Sequence, residues 1–195
     1  MRHFFRGTAA KSYYDWNTYK YCEGTDGSFT KYCNTSYYGK DGFTDNLSVL
    51  EATDDAATTN WGAEYATPTI AEWAELVKEC YWVRTSDYYG KNVSGYIVYK
   101  AKTNSDKGKK VYIGEYPSES YTPFDKHIFL PAAYCYHLSS FWTKGCDGAY
   151  WSATLQESPN THAAKGLAFW SNSIEVTNGG SGRATGLSVR PVRRK

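Results

Sequence analysis

The C-terminal part of the chain combines two kinds of segment, and this combination constrains the fold more than any other feature of the sequence. Residues 149–154 (AYWSAT) and 186–192 (GLSVRPV) alternate large apolar side chains with small ones, as half-buried strands do. Between them lie polar, turn-forming stretches at 155–162, 171–173 and 177–182. A rigid frame that carries such stretches is suited to display a binding surface. The pattern therefore points to recognition more than to catalysis.

Two helices are predicted upstream of this region. The first covers residues 50–59, with Asp54 and Asp55 in its early turns, where carboxylates interact favourably with the helix dipole. The second begins after Thr69, which acts as N-cap and forms a capping box with Glu72. The apolar residues of the second helix follow the i, i+3, i+4, i+7 spacing of one buried stripe: Ile70, Trp73, Ala74, Val77 and Cys80.

After Cys80 the pattern changes to short strands, and the first one with predicted bounds begins at residue 95. Residues 95–100 and 110–113 flank a polar loop at 103–108, and we expect a hairpin there. Ser171 and Asn172 form a tight turn between two later strands. The remaining strands are predicted at 127–131, where Pro131 ends a buried strand, and at 149–154, 166–170, 173–177 and 187–192. Two early helices followed by antiparallel strands predict an α+β domain.

Length and composition indicate one compact domain, since the chain has 195 residues. Aromatic residues make up 17% of the chain, including 19 Tyr, which favours strands and polar-rimmed binding surfaces over helical bundles. We expect residues 1–49 to form an irregular, aromatic-rich region that packs on a core of residues 50–195. The net charge of +2 is too small to indicate nucleic acid as a partner. No run approaches the ~20 apolar residues of a membrane span, and residues 1–7 do not read as a signal peptide.

The five cysteines cannot all pair within the chain, because their number is odd. A local Cys22–Cys33 disulfide and buried thiols are both compatible with the sequence. The spacing of cysteines and histidines does not match a zinc site.

A series of motifs appears in a characteristic order: 54–57 (DDAA), 60–62 (NWG), 68–69 (PT) with 72–73 (EW), 129–133 (FLPAA), 148–152 (GAYWS), 164–169, and Arg183 followed by 186–192 (GLSVRPV). Together they resemble the Fibrobacter-type major paralogous domain of Bacteroidetes surface proteins, over about residues 12–192. That domain has a C-type-lectin-like fold and belongs near the formylglycine-generating-enzyme-like group. The same fold is similar to that of the variable proteins of diversity-generating retroelements.

The resemblance implies that ligand specificity resides in a C-terminal segment, at about residues 150–183. It implies that Trp61, Trp73, Trp151, Val189 and Val192 hold the frame. The predicted ligand-binding residues are Tyr150, Gln156, Glu157, Ser158, Asn160, His162, Trp170, Ser171, Asn172, Ser173, Glu175, Thr177 and Asn178. The alternative is that these are ordinary solvated loop residues. The family's N-terminal strand would have to come from residues 2–5, unless the chain is trimmed or pairs with another chain.

Chemistry known in related folds is not matched by the sequence. The last two cysteines, Cys135 and Cys146, do not have the spacing or context of the formylglycine-generating pair. The calcium motifs of sugar-binding lectins are interrupted at 157–160 (ESPN) and incomplete at 170–172 (WSN), whereas calcium requires six or more oxygen ligands. We therefore predict no catalytic residue, no metal ligand and no cofactor, with calcium as the weaker alternative.

The resulting expectation is a non-enzymatic ligand-recognition protein with a C-type-lectin-like fold and a variable or adaptable binding face. Its partner would be a protein or glycan receptor, and its location a cell surface, the secreted fraction or a phage virion. The alternatives are a structural surface or appendage subunit without a dedicated ligand, and an enzyme of the formylglycine-generating type.

Overall fold

The computed structural model describes residues 19–24, 27–133, 135–137, 140–142, 147–157 and 160–194. These residues form two α-helices and eleven strands. In chain order the elements are α1 (Ala56–Trp61), β1 (Tyr65–Ala66), α2 (Ile70–Glu79), β2 (Cys80–Thr85), β3 (Gly95–Lys100), β4 (Lys110–Val111), β5 (His127–Pro131), β6 (Cys135–His137), β7 (Ser140–Trp142), β8 (Gly148–Leu155), β9 (Ala163–Phe169), β10 (Ile174–Gly182) and β11 (Val192–Arg193). Few helices combined with several short, mostly antiparallel strands confirm the α+β class.

Helix α2 begins where its capping signal predicts. The Thr69 side chain accepts a hydrogen bond from the backbone N–H of Glu72, and the Glu72 carboxylate accepts one from the backbone N–H of Thr69, so the capping box is complete. Trp73 is buried and Val77 packs against the same core, as expected. Ala74 is exposed, however, and Leu76 lies in the core-facing stripe in its place.

Helix α1 is shorter and starts later than predicted. Residues 50–55 are not helical, because Asp55 is the N-cap and its carboxylate accepts a hydrogen bond from Ala57 N–H at 2.8 Å. Upstream, the N–H of Leu50 donates to the carbonyl of Ala153 at 2.9 Å. This bond joins residue 50 to strand β8 and keeps its backbone out of a helix.

A four-stranded sheet has the order β4-β2-β3-β5. Strand β2 lies where the sequence pattern changes to strands, but the pattern does not predict its bounds. It pairs with one edge of β3 and β5 pairs with the other, so β3 has no edge left for the expected hairpin. Strand β4 instead pairs in parallel with β2, and the hairpin prediction is wrong. Strand β5 ends at Pro131 as predicted and lies at the sheet edge, where a proline is tolerated.

A three-stranded antiparallel sheet has the order β10-β9-β8. The turn between β9 and β10 is at the predicted place and is closed by a 2.8 Å bond from Trp170 N–H to the carbonyl of Ser173. The predicted strand at 187–192 is not continuous. Ser188 forms an isolated bridge with Tyr150, and only β11 pairs further on, with β1.

The main core lies where helix α2 meets both larger sheets. Trp73 comes from the helix, and its indole N–H donates to the carbonyl of Trp151 at 3.1 Å. The other buried members are Trp82, Tyr96, Val98 and Leu130 from the four-stranded sheet and Tyr150, Leu167, Phe169 and Ile174 from the three-stranded sheet. Of the expected frame residues, Trp73 is buried and Trp151, Val189 and Val192 are half-buried, but Trp61 is 41% exposed.

The described part of the N-terminal region contains a 3-10 turn at Lys40–Gly42 and isolated bridges. A small buried cluster forms around Phe29, Cys22 and Cys33. Both cysteines are present as thiols rather than as a disulfide. The N-terminal strand expected at residues 2–5 lies outside the described residues.

Candidate ligand-binding cavity

A cavity of about 510 Å3 opens between the N-terminal region, the start of helix α1, strand β8 and the segment that follows β10. Two backbone bonds hold the N-terminal region against β8 beside it: Leu50 N–H to Ala153 O and Leu155 N–H to Ser48 O. The walls are mainly aromatic and aliphatic, with a few polar and charged groups. Aromatic and larger aliphatic lining residues are Tyr19, Tyr21, Tyr32, Trp151, Val49, Leu50, Leu155 and Val189, and charged ones are Lys20, Asp54 and Arg183.

Asp54 lies in the turn before α1, and its carboxylate accepts several hydrogen bonds from side chains of the N-terminal region. Its carboxylate accepts hydrogen bonds from the Tyr32 hydroxyl at 2.7 Å, the Lys31 ammonium at 2.6 Å and the Lys20 ammonium at 3.3 Å. It also accepts one from the Tyr21 hydroxyl. We call these five residues the Asp54 cluster.

The cluster is charged but internally balanced. Burial alone would raise the pKa of Asp54, but the hydrogen bonds from Lys31, Tyr21, Tyr32 and Lys20 outweigh it and hold that pKa well below its usual range. Lys31 also pairs with the Glu51 carboxylate at 2.5 Å. Together with Glu51, the cluster sets two ammonium groups against two carboxylates, so this group of side chains contributes little net charge to the cavity.

Tyr32 links the Asp54 cluster to Arg183, because it forms hydrogen bonds with both Asp54 and Arg183. It is 2% exposed, and its backbone has a φ of +57°, a left-handed conformation that is uncommon for residues other than glycine. Its N–H donates to the Asp45 carboxylate at 2.7 Å, and its carbonyl accepts from Arg183 at 2.8 Å. Burial, followed by the bond to Asp54, raises the pKa of its hydroxyl to about 12.

Arg183 is the buried cation of the site. It is 8% exposed, and its guanidinium carbon lies 3.7 Å from the centre of the Phe29 ring and 5.3 Å from that of Tyr19. Nη1 donates to Tyr32, but Nε and Nη2 are buried without a hydrogen-bond partner among the described residues. Burial lowers the pKa of the guanidinium.

The predicted ligand-binding residues do not form one surface. Gln156, Glu157, Asn160 and His162 belong to the loop between β8 and β9, whereas Ser171 and Asn172 form the turn between β9 and β10. These connections lie at opposite ends of β9, whose seven residues span roughly 20 Å. Strand geometry therefore separates the predicted face into two groups.

None of the described residues of the first group lines the cavity, although Gln156 follows Leu155, which does. Glu157 is exposed and pairs with the buried Lys165 at 2.6 Å, and the His162 ring packs 4.9 Å from the ring of Tyr38. Asn160 is exposed and Gln156 is half-buried. Ser158 lies outside the described residues, as do the side chains of Thr177 and Asn178.

The second group is the exposed turn and its flanks. Ser171, Asn172 and Glu175 are exposed, and Ser173 is half-buried. Trp170 is half-buried against the small cluster formed by Ala149 and Leu187.

Tyr150 faces the core rather than a surface. It is 3% exposed, and its hydroxyl donates to the carbonyl of Pro131 at 2.7 Å. Its side chain is therefore not available to a ligand at the surface, although it was among the residues predicted to bind one.

The charged and hydrogen-bonding residues at the cavity could not be identified from the sequence. The sequence pattern places Asp54 in an early helical turn and Arg183 in a motif, and it gives no functional signal for Tyr21, Tyr32 or Lys31. Their contacts join positions 22 to 151 residues apart, so no local spacing could reveal them. The one available signal was the concentration of tyrosines between residues 13 and 38.

Among the described residues, no group of three or more His, Cys, Asp or Glu side chains is arranged to hold a metal ion. No helix in the described ranges is long and apolar enough to cross a membrane. The chain matches no known family, no curated protein and no solved structure.

Asp54→Asn is expected to lower the free energy of unfolding at neutral pH by about 1–3 kcal/mol, because charge-assisted hydrogen bonds are replaced by neutral ones. The native pKa of Asp54 lies below its unfolded value of about 3.9. Its contribution is therefore present above about pH 4 and is lost as the pH falls toward the native pKa.

Chemical denaturation between pH 6 and about pH 2.5 measures this effect. The gap in stability between the native protein and Asp54→Asn should narrow with acidification. Other carboxylates with lowered pKa, such as Glu72 and Asp106, are common to both proteins and cancel in the comparison. A gap that stays constant over this range would contradict the role assigned to Asp54.

Proposed function

We propose that this protein is a non-enzymatic ligand-recognition protein, and that its ligand inserts an apolar or aromatic group into the cavity beside the Asp54 cluster. The motif order over residues 12–192 supports a C-type-lectin-like recognition module. In that setting the ligand belongs to a protein or glycan receptor. The protein itself is located at a cell surface, in the secreted fraction or on a phage virion.

The observation that carries the proposal is the cavity itself. Its volume of about 510 Å3 lies within the range of small-molecule sites, which are concave, mostly apolar and equipped with a few placed polar groups. Rigid aromatic side chains such as Tyr21 and Trp151 offer a large contact area and lose little conformational entropy on binding.

The charge states in the cavity favour binding over catalysis. A general acid or base works best with a pKa near the operating pH. Here the pKa of Asp54 is held low, and burial raises the pKa values of Tyr19, Tyr21 and Tyr32. The described lining residues include neither histidine nor cysteine. These groups therefore hold fixed charges and hydrogen bonds near neutral pH.

A second candidate is recognition through the exposed turn between β9 and β10. Ser171, Asn172 and Glu175 present polar side chains to solvent there, as an adaptable or diversified face would. This alternative uses the opposite end of β9 from the loop at 156–162, so the two candidates are separable by mutation.

Blocking the cavity mouth tests the leading proposal. Thr53 and Ala52 are adjacent, exposed residues of one turn, but only Thr53 lines the cavity. We expect Thr53→Trp to place an indole in the mouth and Ala52→Trp to leave the cavity open. The probes are two compounds of matched shape, para-fluorophenylacetate and para-fluorophenylacetamide, observed by fluorine NMR.

Binding of either probe to the native protein and to Ala52→Trp, with loss in Thr53→Trp, is the expected result. Binding that persists in Thr53→Trp but disappears in Asn172→Ala would move the site to the exposed turn. The absence of binding to the native protein by both probes would overturn the proposal and favour a structural subunit.

A further inference from the structure

We propose that the ligand carries a carboxylate and that Arg183 recognises it at the inner wall of the cavity. This inference rests on the proposed function, because it names the chemical class of the ligand for the same cavity. It concerns an organic acid with an aromatic or aliphatic body, or a receptor group of that chemistry.

The hydrogen bonding of the Arg183 side chain is incomplete within the described chain. A guanidinium has five N–H donors, and the only hydrogen bonds from this side chain to a described residue go from Nη1 to the carbonyl of Tyr32. Nε and Nη2 are buried without a partner among the described residues. Buried polar groups normally find partners, so exceptions call for an explanation such as a missing ligand.

The charges around the cavity also favour an anionic ligand. The carboxylates around the cavity are already engaged: Asp54 and Glu51 face Lys20 and Lys31. Asp45 accepts backbone N–H bonds from Tyr32 at 2.7 Å, Cys33 at 2.9 Å and Leu47 at 3.1 Å. Within the described chain, Arg183 forms no ion pair with a carboxylate. The charge of Asp45 acts on Arg183 only from a distance. A buried charge without a directly paired counter-charge is unfavourable, and an anionic ligand would supply one.

The geometry of the guanidinium also suits a carboxylate. It is planar by resonance, and its position over the Phe29 ring, 3.7 Å from the ring centre, is fixed by a cation–π contact. A flat guanidinium suits the two oxygens of a carboxylate, which it binds through parallel N–H bonds. Because Nε and Nη2 are buried, pairing requires the Arg183 side chain to turn toward the cavity that it lines.

One uncompensated cation matches a singly charged ligand better than a phosphate, which carries more charge near neutral pH. Lys20 also lines the cavity, but its ammonium already bonds to Asp54. The guanidinium lies against the rings of Phe29 and Tyr19, and the cavity as a whole is lined mainly by aromatic and aliphatic residues, so the body of the ligand is expected to be apolar.

The competing explanation is that Arg183 is purely structural and joins Tyr32 and Phe29 to the end of β10. The test compares the affinities of para-fluorophenylacetate and para-fluorophenylacetamide for the full chain. These probes differ in charge but hardly in size. We expect the acid to bind about tenfold more tightly than the amide or better, as charge-assisted hydrogen bonds are stronger than neutral ones.

Three variants test whether Arg183 causes the preference for the acid over the amide. Arg183→Gln should abolish it, Arg183→Lys should keep part of it, and Arg193→Gln should leave it intact. The last variant removes the same charge from an exposed arginine on β11. As a readout that does not require Arg183→Gln to fold, the Nε–H resonance of Arg183 in the native protein should shift with the acid and stay in place with the amide.

The outcomes separate this inference from the proposed function. Equal affinity for acid and amide, with both blocked by Thr53→Trp, would leave the cavity as the site but overturn the role of Arg183. An acid preference that survives in folded Arg183→Gln, or an Nε–H resonance unmoved by bound acid, would overturn it as well. No binding by either probe would overturn both proposals.

Discussion

Trp73→Ala is expected to lower the free energy of unfolding by about 3–5 kcal/mol, the usual cost of removing a large buried aromatic side chain. Trp73 is 2% exposed and joins helix α2 to both larger sheets. Its indole N–H also donates to the carbonyl of Trp151, on the strand that forms a cavity wall. For a chain of this size the melting temperature should fall by about 6–20 °C.

Trp61→Ala provides the matched control. Trp61 is also a tryptophan of an early helix, but it is 41% exposed, so its replacement should change stability by less than about 1 kcal/mol. Thermal and chemical denaturation of the two variants measure the contrast. Similar losses in both would contradict the assignment of Trp73 to the core and Trp61 to the surface.

Asp55→Ala is expected to lower the free energy of unfolding by about 3–4 kcal/mol, because it leaves several buried donors without an acceptor. Asp55 is 3% exposed. Its carboxylate accepts from Ala57 N–H at 2.8 Å, from Thr67 N–H at 2.7 Å and from the Thr67 hydroxyl at 2.6 Å. The residue thus caps helix α1 and ties it to the segment that leads into α2.

Asp55→Asn is the conservative comparison. The amide keeps one acceptor oxygen at the same place, so we expect a loss of about half that of Asp55→Ala. Urea denaturation gives the two free energies, and hydrogen exchange at Ala57 and Thr67 reports the local effect. Unchanged exchange at both amides in Asp55→Ala would contradict this role.

The parts of the fold that are encoded locally could be predicted from the sequence. The start of α2 needs only Thr69 and Glu72, three residues apart, and the turn at Ser171 and Asn172 closes within four residues. Such signals depend on neighbours in the chain. They are readable without knowledge of the tertiary structure.

The errors have tertiary causes. Strands β3 and β4 looked like a hairpin because a polar loop separates them, but longer strands occupy both edges of β3. Residues 50–55 looked helical, yet Leu50 bonds to Ala153, more than 100 residues away. In both cases tertiary contacts override the local sequence preference, and no local pattern shows those contacts.

The candidate site shows the same limit. Polar residues between 150 and 183 predicted a single face, but β9 separates them into two groups. The cavity instead brings together Tyr32, Asp54 and Arg183, which are distant in sequence. Aromatic richness in the N-terminal region hinted that it packs on the domain, but the position and charge of the cavity followed only from the fold.

The central claim, that the cavity is the ligand site, is tested most directly by mapping backbone amide NMR shifts with para-fluorophenylacetate. In the native protein, shifts are expected at residues 53–56, 151–155 and 183–186, which border the cavity, but not at Ser171 and Asn172. The shifts should vanish in Thr53→Trp and persist in Ala52→Trp. A map centred on the turn at Ser171 and Asn172, or one unchanged by Thr53→Trp, would contradict the claim.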